Sequence, residues 1–329
     1  MGEAFISRRG GGYNVYDILT SDKYETSIEA VRIVDFTPIG VIIDSSYIYL
    51  ITSTTSCYKY NRLDFSLASS VTNYPYSRSH IRVDDSKIYT LIAGAATTKA
   101  GLQYISKSDL NLYDIKVWED NSWINVFCYD KSGDAVPYAI SYWDSGYEPY
   151  YNYVTYYYSD EWHYLKVYDD NYQINALVID GTAIYAYKRT GTLYKIDATT
   201  NSVTLTKSIG VAIGDNQMII RGDYIFIKSN TELKKYDKSG NLISSLTVNG
   251  SMNYSIEDNF IYVTYQKTIY KIDTNLNIVW SKIYDFNIYS IHKYSDSYAI
   301  LENKHSTYSR VTTVVSQTGN PDYSIKIKQ

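Results

Sequence analysis

Val178-Ile179-Asp180-Gly181-Thr182-Ala183-Ile184-Tyr185 is an apolar run, a tight turn and a second apolar run. Leu193-Tyr194-Lys195-Ile196-Asp197 follows as a third run, the polar turn Ala198 to Asn201 comes next, and Val203 to Ser208 is the fourth. Side chains along such runs point alternately to opposite faces, and in Ala183-Ile184-Tyr185-Ala186-Tyr187 both faces are apolar. The cycle therefore reads as four short antiparallel strands in about 40 residues.

The same cycle recurs along the chain. Ile43-Asp44 leads to Ile48-Tyr49 and Tyr58-Lys59-Tyr60, and Val83-Asp84 leads to Ile88-Tyr89 and Leu102-Gln103-Tyr104-Ile105. Ile220-Arg221 leads to Ile225-Phe226 and Leu233-Lys234-Lys235-Tyr236-Asp237, and Ile256-Glu257 to Ile261-Tyr262 and Ile269-Tyr270-Lys271-Ile272-Asp273. Looser copies stand at Asp134 before Tyr138-Ala139-Ile140 and at Ser295 before Ala299-Ile300-Leu301. The anchors at 44, 84, 134, 180, 221, 257 and 295 are 36 to 50 residues apart.

A four-stranded sheet that is apolar on both faces cannot hide them alone, and radial repetition gives each face a neighbour while leaving only short edges. The expectation is an all-β fold, a seven-bladed β-propeller of four-stranded antiparallel blades over residues 28–329, with a short N-terminal arm over 1–27. An open solenoid or a pair of sandwiches is the alternative. Closure is left open between two segments, Ile28 to Phe36 and Tyr323-Ser324-Ile325-Lys326-Ile327-Lys328, either of which completes the last blade. The Asp before the second strand suits a turn in which a short acceptor bonds nearby backbone N–H groups. Turns such as Asp237-Lys238-Ser239-Gly240-Asn241 carry the Gly or Asn that tolerates positive φ.

The cycle resembles the PQQ-like and broader WD40/YVTN propellers through Tyr194-Lys195-Ile196-Asp197 and Tyr270-Lys271-Ile272-Asp273, the latter ending in Val279-Trp280-Ser281. The quinoprotein docking Trp has one clear copy, so the resemblance implies architecture and no cofactor. Met1-Gly2-Glu3-Ala4-Phe5-Ile6-Ser7-Arg8-Arg9-Gly10-Gly11-Gly12 resembles the opening of structural, tail-associated proteins from phages and prophages of low-GC Gram-positive hosts. That resemblance implies a virion component, assembled in a bacterial cytoplasm, with Phe5, Ile6, Arg8 and Arg9 docking it to other virion structural proteins.

Composition supplies exclusions. In 329 residues Lys plus Arg is 31 and Asp plus Glu 35, a net charge of −4 without a long basic block, which argues against a nucleic-acid partner. No apolar run is long enough for a membrane span. Cys57 and Cys128 are expected as buried thiols outside any metal spacing. His80, His163, His292 and His305 have no HxH or HExxH spacing, and GxSxG and Walker motifs are missing, so no metal and no catalytic residues are assigned. The acid pairs Asp84/Asp85, Asp160/Glu161 and Asp169/Asp170 read as solvated turn formers.

Tyrosine stands out at 40 residues against 7 Phe and 5 Trp. Its densest stretch lies in the third cycle, where Trp143-Asp144-Ser145-Gly146-Tyr147-Glu148-Pro149-Tyr150-Tyr151 lacks clean alternation and reads as an extended hairpin loop. Trp143, Asp144, Tyr147, Glu148, Tyr150 and Tyr151 are the candidate contacts to a host surface glycan, aromatic faces stacking on sugar rings and carboxylates accepting hydroxyls. The alternative is that the aromatics pad an enlarged blade. The sequence-level expectation is thus a non-enzymatic structural component of a phage or phage-like particle. Its alternatives are a bacterial propeller scaffold for protein–protein interaction and a glycan-cleaving enzyme.

Overall fold

The computed structural model describes residues 27–315 apart from 35–37, 53–55, 63, 73–77, 93–99, 119–121, 130–137, 145–150, 169–172, 211–212, 215–216, 254–258, 284–286, 295–296 and 303–308. Strand β1 (Ser27–Val34) stands before the first cycle. The first blade is β2 (Pro38–Ile43), β3 (Tyr47–Thr52), β4 (Cys57–Asn61) and β5 (Leu67–Val71). The second is β6 (Arg78–Val83), β7 (Lys87–Ile92), β8 (Ala100–Ser106) and β9 (Leu112–Trp118). The third is β10 (Ser122–Tyr129), β11 (Tyr138–Asp144), β12 (Tyr151–Tyr158) and β13 (Glu161–Tyr168). The fourth is β14 (Ile174–Asp180), β15 (Ala183–Lys188), β16 (Thr192–Asp197) and β17 (Ser202–Ser208). The fifth is β18 (Met218–Arg221), β19 (Tyr224–Lys228), β20 (Glu232–Asp237) and β21 (Leu242–Thr247). The sixth is β22 (Ser251–Asn253), β23 (Ile261–Tyr265), β24 (Thr268–Ile272) and β25 (Ile278–Ile283). β26 (Ile288–Tyr294), β27 (Ser297–Glu302) and β28 (Ser309–Val315) complete the described chain.

Each of these six blades is a four-stranded sheet in chain order, and a seventh four-stranded sheet has the order β1-β28-β27-β26. This corrects the expectation of a seven-bladed propeller to six blades in chain order. Six are continuous meanders, and the remaining sheet is composite, its outermost strand supplied from the other end of the chain. β1 runs antiparallel to β28, from Ser27 opposite Val315 to Val34 opposite Ser309. Of the two segments that could close the sheet, the N-terminal one does so; Tyr323 to Lys328 lies outside the described residues. By compactness the chain divides into two units. One unit comprises Met1–Tyr74, Tyr262–Ile272 and Ile278–Gln329, and the other Pro75–Ile261 with Asp273–Asn277.

Burial follows strand position within a blade. Nearly every residue of β3, β15 and β19 is buried, so these strands are covered on both faces. The fourth strands β21 and β25 alternate between exposed and half-buried residues over most of their length. β-branched and tyrosine side chains suit extended, two-sided burial, which is why Ile and Tyr dominate the middle strands. The first strands carry a bulge at a recurring place, at Pro38/Gly40, Ser79/Ile81, Ile124/Val126, Ile174/Ala176 and Ile288/Ser290. A bulge sharpens local twist, and its recurrence gives the innermost strands a common bend.

In the first unit, Val41, Ile43, Ile48 and Leu50 of the first blade pack with Ala299, Leu301 and Val311 of the composite sheet. The backbone N–H of Ile43 donates to His292 Nδ1 at 3.3 Å across the same seam. In the second unit, a cluster including Val154, Tyr156, Leu177, Ile184 and Ile196 joins the third and fourth blades. Another, including Tyr185, Tyr187, Ile225 and Ile227, joins the fourth and fifth. Gln217 ties the fifth blade to β22 by accepting from Met252 N at 2.7 Å and donating to Met252 O at 3.4 Å.

Leu301 is buried in the cluster that seats the composite sheet, whereas Leu67 lies exposed on β5. Leu301→Ala is expected to cost about 2–5 kcal/mol in urea unfolding and Leu67→Ala less than about 0.5 kcal/mol; equal shifts would contradict the packing.

Candidate binding site

The turns between first and second strands hold their aspartates as the sequence suggests. Asp44 Oδ1 accepts from the backbone N–H groups of Ser46 and Tyr47 at 2.9 and 2.8 Å. Asp84 Oδ1 accepts from Ser86 and Lys87 at 2.7 and 2.6 Å, and its Oδ2 from the Tyr89 hydroxyl at 2.7 Å. Asp180 departs from this pattern, pairing with Lys238 of the fifth blade at 2.7 Å. The buried Tyr185 hydroxyl is left without a hydrogen-bond partner. Burial, reinforced by Asp180, pushes the Tyr185 phenol up to about 12.

The turns between third and fourth strands use a second aspartate. Asp237 Oδ1 accepts from Ser239 N and Asn241 N at 2.9 and 2.8 Å, and Asp273 Oδ1 accepts from Asn275 N and Asn277 N at 2.9 and 2.8 Å. In each case the Asn side-chain amide donates to the other carboxylate oxygen. Gly240 and Asn201 take positive φ as expected, but so do Phe65, Leu110 and Leu276. These three bulky side chains are buried, and their burial offsets an unfavourable backbone conformation. Sequence reasoning that looked for Gly or Asn missed them.

A recurring lysine also escaped sequence reasoning. Lys59, Lys195, Lys235 and Lys271 occupy the same slot of their third strands, each at a register shift in the pairing with the fourth strand. Lys59 Nζ lies 4.1 Å from the Tyr47 ring centroid, Lys235 Nζ 3.7 Å from Tyr224, and Lys195 Nζ 5.7 Å from Tyr185. Ring faces attract ammonium groups, so a strand can bury a lysine stem against tyrosine. The signal was available as a Lys at one repeat position in four cycles.

Aromatic side chains gather where the second and third blades meet, within the second unit. Tyr89, Leu91, Leu102 and Ile140 form the buried floor, with Tyr104, Ile115, Trp118, Tyr138 and Trp162 half-buried against it. Tyr104 stacks on Tyr113 with centroids 5.0 Å apart, and Tyr89 meets Tyr138 at 5.8 Å. Trp118 of β9 meets Trp162 of β13 edge to face at 6.0 Å and 79°, and Trp162 meets Tyr157 at 5.6 Å. Lys87 Nζ stands 4.7 Å over Tyr104, and Lys116 Nζ 6.0 Å over Trp118. Burial holds the Tyr138 phenol above its ordinary value, against a hydrogen bond with Tyr89. Outward from the floor, Tyr113 is 41% and Tyr164 43% exposed.

Of the residues singled out for glycan contact, Trp143, Asp144 and Tyr151 lie in strands. Trp143 pairs with Trp123 and Asn152, and Asp144 with Ser122 and Tyr151, all within strand ladders. The hairpin expected from 143 to 151 is therefore narrower, because Trp143 and Tyr151 extend the pairing instead of leaving it. Tyr147, Glu148 and Tyr150 lie outside the described residues, as do Phe5, Ile6, Arg8 and Arg9. The aromatics that the structure does bring together, Trp118 and Trp162, come from two cycles, and only their positions on successive fourth strands hint at it.

Lys228 of β19 is 1% exposed. Its ammonium donates to Ser229 O, and burial, partly opposed by Glu232, lowers its pKa to about 8. Cys57 and Cys128 are both buried thiols, as expected. No group of three or more His, Cys, Asp or Glu side chains that could hold a metal occurs among the described residues. No described helix is long and apolar enough to cross a membrane.

Comparison with solved structures defines the class. The β-propeller domain of Cps50 (Swd1) from Myceliophteria thermophila superposes with a TM-score of 0.64 at 9% identity, covering 89% of this chain and 100% of that one. The computationally designed Ika8 protein gives 0.61 at 8% identity with the same coverage. BamB from Moraxella catarrhalis gives 0.53 at 10% identity, again over 89% of this chain and 100% of its own. The chain has a β-propeller fold built of four-stranded blades. No protein-family model matches it, and no curated protein sequence does.

Two pH dependences follow from these side chains. Hydrogen bonds from Asn241's backbone N–H, then its side chain, hold Asp237 below its ordinary 3.8. At Asp273, burial is outweighed by the Asn277 side-chain and backbone bonds. A depressed folded pKa adds stability above the unfolded value that is lost as pH falls through the folded one. Replacing both with Asn is expected to flatten the acid limb of urea-unfolding stability below about pH 4, and an unchanged slope would refute this. For Lys228 the sign reverses, since the unfolded state binds more protons between about pH 8 and 10.5, so stability rises across that window. Lys228→Met should abolish the rise and stabilise the protein by about 1–3 kcal/mol at pH 7, read in the same unfolding assay.

Proposed function

We propose that this protein is a non-catalytic propeller scaffold that binds other proteins through the outermost strands of its blades. The observation that carries the reading is β25, where Ile278, Val279 and Ile283 are 46%, 50% and 70% exposed on a strand whose outer edge pairs with no strand in its sheet. An open edge offers backbone N–H and C=O groups for strand addition, and exposed aliphatic side chains add apolar area to such a contact. Leu242 and Ile243 repeat the feature on β21, also a fourth strand. Fold-level likeness to other propellers supports a scaffold but carries no partner with it.

The non-catalytic part of the reading is supported by how the carboxylates are used. Asp44, Asp84, Asp237 and Asp273 face their own turn N–H groups, which commits these four carboxylates to organising backbone. A more particular form, attachment to a virus particle through Phe5, Ile6, Arg8 and Arg9, rests on the resemblance of the opening dozen residues alone.

The test is a comparison of chemically cross-linked partners recovered with the wild type and with Val279→Lys/Ile283→Lys in the native host. Loss of a defined partner at an unchanged melting temperature is the expected result. Identical partners recovered with both proteins would reject β25 as the contact.

A further inference from the structure

The aromatic seam between the second and third blades has chemistry unlike the aliphatic outer strands. We infer that it is a binding site for a flat, β-1,4-linked pyranose oligosaccharide. Such sugars carry axial C–H groups on their ring faces and hydroxyls around the rim. The C–H faces are attracted to aromatic π-faces, while the rim requires hydrogen-bonding groups at the edge of the platform. The seam supplies both. Trp118 and Trp162 approach from neighbouring blades, with Tyr157 closing against Trp162. Tyr113 and Tyr164 stand half-exposed beside them with phenolic hydroxyls. Lys116 adds an ammonium over Trp118.

A buried group on the same face points the same way. Thr155 pairs directly with Ile140 of the seam floor and with Tyr164. Residues directly opposite in a ladder share a face, so the Thr155 hydroxyl faces the seam. It is fully buried and has no hydrogen-bond partner. A buried hydroxyl without a partner costs free energy, and a sugar hydroxyl that displaces the half-buried rings above the floor would satisfy it.

Competing occupants suit the seam less well. The aliphatic surface proposed above for a protein partner lies elsewhere, on β21 and β25. A single-stranded nucleic acid would use aromatic stacking, but it needs a basic track to follow its phosphates. Lys87 and Lys116 are held over rings, and Asp84 accepts the Tyr89 hydroxyl.

The experiment titrates the full chain with cellohexaose and with chitohexaose, following tryptophan fluorescence, with single-stranded oligothymidine as the contrast. Saturable binding of at least one sugar is expected, with a Kd of about 1 mM. Tyr164→Ala and Trp162→Ala should each weaken it by about tenfold, and Trp280→Phe on β25 should leave it unchanged. Tyr164 is solvent-exposed, so that variant keeps the test valid even if Trp162→Ala fails to fold. The inference is overturned if neither sugar binds, if Tyr164→Ala binds like the wild type, or if oligothymidine displaces the sugar from the seam.

Discussion

Two-sided burial of the middle strands governs this protein. Strands such as β15 are covered on both faces, so no blade can exist as a stable sheet by itself. Within each unit a blade face finds apolar area on a neighbouring sheet, as the clusters joining the first blade to the composite sheet, the third to the fourth and the fourth to the fifth show. Outer strands escape the constraint. Their alternating exposure leaves side chains and backbone edges free to vary, and the aliphatic surface proposed for a protein partner lies there.

The repeat was legible because this constraint writes itself into sequence. Ile184, Tyr185, Ala186 and Tyr187 are consecutive and apolar because both sides of β15 are covered, a pattern that an ordinary sandwich strand with one wet face would not show. Asp44 and Asp84 were legible too, since a short acceptor before a strand has few other local uses. Leu110 and Leu276 were not. Their left-handed backbone is tolerated only because their side chains are buried, and that compensation depends on tertiary neighbours. Lys59 and Lys235 were hidden for a related reason. A lysine in a strand suggests a solvated face until the ring beneath it is known.

The candidate site was only partly legible. Tyrosine density drew attention to the third cycle, and that cycle does form one wall of the aromatic seam through Tyr138, Tyr157 and Trp162. Local irregularity around Trp143 suggested a projecting loop, yet Trp143 and Tyr151 continue the ladders. The other wall comes from Trp118 and Tyr113 of the preceding cycle, in strand β9. No window of sequence contains both walls, because adjacent blades bring together side chains that are far apart along the chain.

The pairing of β1 with β28 has a consequence for biosynthesis. Ser27 and Val315 sit opposite each other, so β1 has no partner strand until almost the whole described chain has been made. At about 5–20 residues per second, β1 waits for roughly 14–58 s on the ribosome with its hydrogen-bonding edge unclaimed. A chaperone or a nascent neighbour has that interval in which to capture it. Exchange of β1 between two copies during the same interval would produce a strand-swapped dimer.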